Sequence, residues 1–148
     1  MGLNWGVFAI QRLKDYNSRL NAFDSLKEQI SALEDSFEAV RSSQTDKLPI
    51  QGGNINNRED ILIDNIATRE ELSINLELVN REIEITEKGL DVLSDTERQI
   101  LNLFYMERPK GYIDRLCDEL FISKTELYRQ KDAALKKFTR ACYGIVEL

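Results

Sequence analysis

Apolar positions recur at helical spacing along residues 8–41. Tyr16, Phe23, Ile30 and Phe37 fall seven apart, while the companion position moves from Leu13 and Leu20 to Leu26, Leu33 and Val40. A straight helix of 3.6 residues per turn drifts in this way against a 3.5-residue repeat, so the pattern predicts one long helix with an apolar seam. A second such pattern covers residues 57–93: Leu62, Leu76, Ile83 and Leu90 keep the seven-residue spacing, interrupted at Arg69, and Ile66, Leu72 and Val79 lie beside them. A helix of this length needs a packed partner along its seam. Two facing seams predict a long antiparallel helical hairpin. The connector at 42–56 carries the breakers Pro49 and Gly52-Gly53. It reads as a flexible loop; its length, above that of an ordinary helix-helix connection, leaves a contact of its own as the alternative.

From Ser94 onward the apolar runs shorten. Ile100, Leu101, Leu103, Phe104 and Tyr105 predict one helix over Ser94 to Tyr105, and Met106 to Gly111, with Pro109, breaks it. Ile113, Leu116, Cys117 and Leu120 then recur at helical spacing, as do Leu127, Ala134, Leu135 and Phe138. Two S-x-x-E spacings, Ser94/Glu97 and Ser123/Glu126, predict capping boxes in which each hydroxyl and each carboxylate satisfies one orphan amide. Three apolar faces closing a small core, with Ile122 plugging the Phe121-Ile122 turn, read as a helix followed by a helix-turn-helix. The expected fold class is therefore all-α, with a helical hairpin over 1–93 and a helix-turn-helix module over 94–148.

Composition narrows the chemistry. The 148 residues include no histidine and two cysteines, Cys117 and Cys142, which removes the common zinc sets and every His-dependent nucleophile. Cys117 reads as a small core residue. The carboxylates of residues 57–93 are spread around a polar face with no dyad, and no phosphate loop is present. These features predict a chain that is not an enzyme and needs no cofactor or metal. No run reaches the roughly 18 apolar residues of a membrane span, and the N-terminal stretch has no basic flank or small-residue cleavage site. The expectation is a cytoplasmic protein with no membrane partner.

The formal charge of -6 argues against an anionic partner until its distribution is resolved. Residues 1–93 hold 10 Lys/Arg against 17 Asp/Glu, whereas residues 123–141 hold 6 against 2, a local net charge of +4. A basic final helix on an acidic body favours oriented docking on nucleic acid over indiscriminate binding. Its outward face carries Lys124, Thr125, Tyr128 and Arg129, the set able to reach base edges if the helix enters a major groove. Arg129 and Lys124 suit guanine O6 and N7, Thr125 suits a thymine methyl or a polar edge, and Tyr128 suits sugar or phosphate. Lys131, Lys136, Lys137 and Arg115 are candidate backbone anchors.

The stretch LSDTERQILNLFYMERPKGYIDRLCDELFISKTELYRQKDAALKKFTR, Leu93 to Arg140, resembles region 4 of sigma-70-type factors through Ser123, Leu127, Ala134-Leu135 and Lys136-Lys137. It departs from that pattern at Phe121, where a turn glycine is usual, and at Tyr112, where a Ser or Thr cap is common. With LPIQGGNINNREDILIDNIA at Leu48 to Ala67, the whole chain is similar to small phage and prophage regulators of the ArpU/RinA type. The resemblance implies sequence-specific binding of double-stranded promoter DNA and activation of phage or mobile-element late genes. RNA polymerase contact and homo-oligomerisation through the hairpin are further expectations. The competing reading is a helical interaction or adaptor protein that uses the hairpin seam and has no direct DNA role.

Overall fold

The computed structural model describes residues 3–43 and 54–144, and all of its regular structure is helical. In chain order the helices are α1 (Trp5–Ser42), α2 (Asn54–Asp91), α3 (Asp95–Leu101), α4 (Tyr112–Leu120) and α5 (Lys124–Tyr143). Of the connector expected at 42–56, residues 44–53 lie outside the described residues. No described helix is long and apolar enough to cross a membrane. Asn4 starts α1 by accepting the Val7 amide on its side chain at 3.1 Å, the usual device for an orphan donor. Gly89 does not end α2, which runs on to Asp91. The glycine is required there for another reason: a Cβ would sit 2.6 Å from the Cys142 sulfur and 2.8 Å from the Phe138 ring.

The spacing predicts one helix from Ser94 to Tyr105, and the chain departs from that expectation. After Leu101 the backbone widens into a π-helical turn over Asn102–Met106, closed by the Glu107 amide on the Asn102 carbonyl at 2.8 Å. Such a turn inserts an extra residue and swings the next side chains to a new face. Leu103 and Phe104 thereby pack with Ile100, while Met106 packs with Leu101.

The chain forms two compact units, Met1–Leu20 with Arg81–Leu148, and Asn21–Asn80. The first unit is built around α5, whose Leu127 joins Ile100, Leu103, Phe104 and Leu116 in one apolar cluster. Further along α5, Ala134 and Phe138 join Ala9, Leu13, Leu93 and Leu101 in another. Arg12 bridges three helices in this unit. Its guanidinium donates to the Tyr143 hydroxyl (3.0 Å) and the Glu82 carbonyl (3.1 Å) and pairs with the Glu82 carboxylate (2.7 Å). Burial opposes its charge, but these partners outweigh burial and raise its pKa. Cys142 packs here as well, its thiol pushed up to about 11 by burial, which favours the protonated form over the nucleophilic thiolate.

In the second unit Asn65 is the one buried residue among those described. Its amide donates to the Leu33 carbonyl at 2.8 Å and its oxygen accepts from Arg69 at 2.8 Å. The Arg69 guanidinium lies 4.9 Å from the centre of the Phe37 ring. The seam positions Phe23, Ile30, Leu33, Phe37, Leu62, Leu72 and Leu76 are half-buried.

Candidate functional site

The start of α5 is fixed by Ser123, whose extended backbone and hydroxyl cap the helix by accepting the Glu126 amide at 3.2 Å. The reciprocal half of the expected capping box is not formed. The Glu126 carboxylate turns along the helix to Arg129 and Gln130 instead, because a cation three residues on and an amide four residues on share its face. Glu97 has apolar residues, Ile100 and Leu101, at the corresponding positions of its own helix, and at Ser94 both halves of the box form, at 3.2 and 2.9 Å, with Lys137 of α5 reaching the same carboxylate.

With Leu127, Ala134 and Phe138 buried, the opposite face of the first two turns of α5 leaves Lys124, Thr125, Tyr128 and Arg129 exposed. Lys124 occupies the first helical position, where the macrodipole already concentrates positive charge and a cation costs about 0.3–1 kcal/mol. It forms no ion pair among the described residues, and neither does Lys136, exposed further along the helix. Arg129 donates through Nε to Glu126 Oε2 at 2.7 Å and through Nη2 to Oε1. The hydrogen bonds from Arg129 and then Gln130 hold the Glu126 carboxyl at about 2. Of the five guanidinium N–H groups, both on Nη1 and the second on Nη2 stay uncommitted to Glu126. They form an end-on fork that suits a planar pair of acceptors.

The remaining predicted cations have intramolecular partners. Lys131 is largely covered, with its ammonium on Asp132 at 2.7 Å and above the rings of Phe104 (5.7 Å) and Tyr128 (5.6 Å). Burial lowers its pKa, and the Asp132 and Tyr105 contacts more than restore it. Phe104 meets Tyr128 edge-on at 5.7 Å, so Lys131 and Phe104 together fix the Tyr128 ring. Lys137 pairs with Glu97 at 3.0 Å and ties α5 to α3. Arg115 pairs with Glu119 at 3.0 Å, and Glu119 also accepts from Gln99. The structure therefore brings Lys124, Thr125, Tyr128 and Arg129 onto one open face, and gives Lys131, Lys137 and Arg115 contacts within the fold.

Two features escaped the sequence reading. Arg12 looks like any cation of an amphipathic helix, since its partners lie some 70 and 131 positions away. Phe121 ends α4 in the left-handed conformation, φ 56 and ψ 46, with its side chain 93% exposed. That conformation costs an L-residue roughly 1–2 kcal/mol. Its one visible signal was the missing turn glycine.

Residues 39–139 match a family model described as "Protein of unknown function (DUF1492)". The chain belongs to the DUF1492 family. The span matched to DUF1492 takes in all of α2, α3 and α4, and α5 as far as Thr139, so it contains Lys124, Thr125, Tyr128 and Arg129. Neither the curated proteins nor the solved structures gave a match to the chain.

Proposed function

We propose that the protein is a sequence-specific DNA-binding transcription regulator. In this reading α4 and α5 act as a helix-turn-helix of the sigma region 4 kind, with the N-terminal turns of α5 in the major groove. The observation that carries it is the open face of Lys124, Thr125, Tyr128 and Arg129 beside a capped, positively polarised helix end anchored on its other side by the buried Leu127. Lysine at that position works against the helix dipole and makes no ion pair within the described residues, whereas a duplex supplies phosphate and guanine acceptors. The Arg129 fork is pre-oriented by Glu126. On the same reading α1 and α2 serve pairing of copies or contact with RNA polymerase, and the regulator is an activator of phage or mobile-element genes.

The test is retention of duplexes from a random pool by the full chain. Enrichment of a defined sequence, with affinity falling steeply between low and physiological salt, is the expected result. A Lys124→Ala, Arg129→Ala double variant that enriches the same sequence with unchanged affinity would overturn the base-reading role.

A second reading has its own observation. Ile63, Ile66, Ile74 and Leu78 of α2 are exposed, which suits a helical adaptor that binds a protein through that surface. Co-purification of a stoichiometric protein partner, with no shift of DNA mobility at any salt concentration, would favour it.

A further inference from the structure

Leu120, Phe121 and Ile122 are three consecutive apolar residues with different fates. Leu120 and Ile122 pack against the cluster around Leu127, while the Phe121 side chain stands almost wholly in water. The hydrogen bonds of the turn come from the backbone: the Phe121 and Ile122 amides both reach the Cys117 carbonyl, the second at 3.2 Å. Any residue can supply those amides, and glycine would do so without a Cβ in the left-handed region. The phenyl ring thus adds nothing to the fold and occupies a backbone conformation that disfavours it. A strained residue that persists with no folded-state contact points to a contact made outside the chain.

Its neighbours decide the kind of partner. Before the turn the exposed residues are Asp118 and Glu119, the latter paired with Arg115 at 3.0 Å; beyond it they are Ser123, Lys124 and Thr125, polar and cationic, at the positive end of α5. An apolar protein surface covering both the ring and the start of α5 would have to bury the Lys124 ammonium. A duplex major groove offers phosphates and acceptor edges together with isolated apolar spots, the C5-methyl groups of thymine, which aromatic and aliphatic side chains contact. We infer that Phe121 is a specificity-determining residue of the DNA site, its ring packing on a thymine methyl at the edge of the base pairs met by Lys124 and Thr125. This rests on the reading of α5 as a DNA-reading helix. The left-handed turn holds the ring on a rigid stem between two packed residues, so the contact carries little ordering cost.

The experiment uses the full chain and the duplex it enriches from a random pool. Dissociation constants are measured for the wild-type chain and Phe121→Gly, on that duplex and on versions in which thymines are replaced one at a time by deoxyuridine. Phe121→Gly should melt no lower than the wild type, because it removes the strain, and should bind the enriched duplex about tenfold more weakly. One deoxyuridine replacement should weaken the wild type about fourfold, the worth of one buried methyl, and leave Phe121→Gly unaffected. Equal affinity of the two chains overturns the inference alone, as does a drop in melting temperature, which would make the ring part of the fold. Equal sensitivity of both chains to every deoxyuridine also overturns it. Failure of the wild-type chain to enrich any duplex overturns the DNA reading and Phe121's role with it.

Discussion

In the unit formed by Met1–Leu20 and Arg81–Leu148, Leu13, Ile100, Leu101, Leu116, Leu127 and Phe138 lose all contact with water; in the unit Asn21–Asn80, no described apolar side chain is buried. Apolar residues recur at helical spacing in both regions, so helical periodicity alone does not explain the difference. The first unit supplies cover on more than one side: α5 packs against α3 and α4 and shares a cluster with the start of α1. In the second, the covering comes from one helix on another. Burying a leucine or phenylalanine fully contributes about 1.5–3 kcal/mol, and half-burial contributes correspondingly less. Stability is therefore concentrated in the first unit, while the second depends more on polar contacts. A single buried asparagine with two defined partners is a device for fixing register more than for adding stability.

The strongest way to break this comparison is to cut the same side chain in both units. Phe138→Ala should cost about 3–5 kcal/mol in urea unfolding, the usual range for a buried phenylalanine. Phe37→Ala should cost about 1–2 kcal/mol, since its ring is already half in water. Equal losses that shrink on dilution would mean that a second chain covers the seam in solution. Next in size, Gly89→Ala should cost about 1–3 kcal/mol by overpacking against Cys142 and Phe138, and pairing it with Cys142→Ala should recover part of the loss. Asn65→Leu should cost about 1 kcal/mol, and hydrogen exchange of residues 21–43 should accelerate more than that loss alone requires, as alternative registers open.

The smallest effect is one of pH. The Glu97 carboxyl lies below its usual range because the Ser94 amide bonds it; burial opposes that shift, and Lys137 and the Ser94 hydroxyl add to it. Since the folded value is the lower one, this stabilisation is fully present above the unfolded pKa of about 4.5 and is lost as pH falls through the folded value. Glu97→Gln should flatten the acid limb of the stability curve in that window, by less than about 1 kcal/mol. A variant whose acid limb is unchanged would remove the cap as its origin.

Much of the helical framework could be read from period and caps. The Ser94/Glu97 spacing announced a box that forms, and the outward face of α5 followed from the burial of Leu127, Ala134 and Phe138. What could not be read depends on competition and distance. The same S-x-x-E spacing at Ser123 does not say whether Glu126 will choose the cap amide or Arg129, because both lie within reach of one carboxylate. Ile100, Leu101, Leu103 and Phe104 fit an uninterrupted helix as well as a π turn, since one inserted residue leaves an apolar run looking apolar. Ala9 and Leu13 carry no mark showing that they pack with Ala134 and Phe138. The absence of glycine at position 121 was visible, but only the backbone shows that Phe121 took the left-handed conformation itself.

The bridge made by Arg12 also sets an order of events. Its partners Glu82 and Tyr143, and the Phe138 that helps cover Leu13, leave the ribosome long after residue 12 does. Until α5 has been made, Ala9 and Leu13 lack Ala134 and Phe138, two of the four other buried residues of their cluster. Contacts of such sequence separation close slowly, so the cover of that apolar stretch is completed only when α5 joins the cluster.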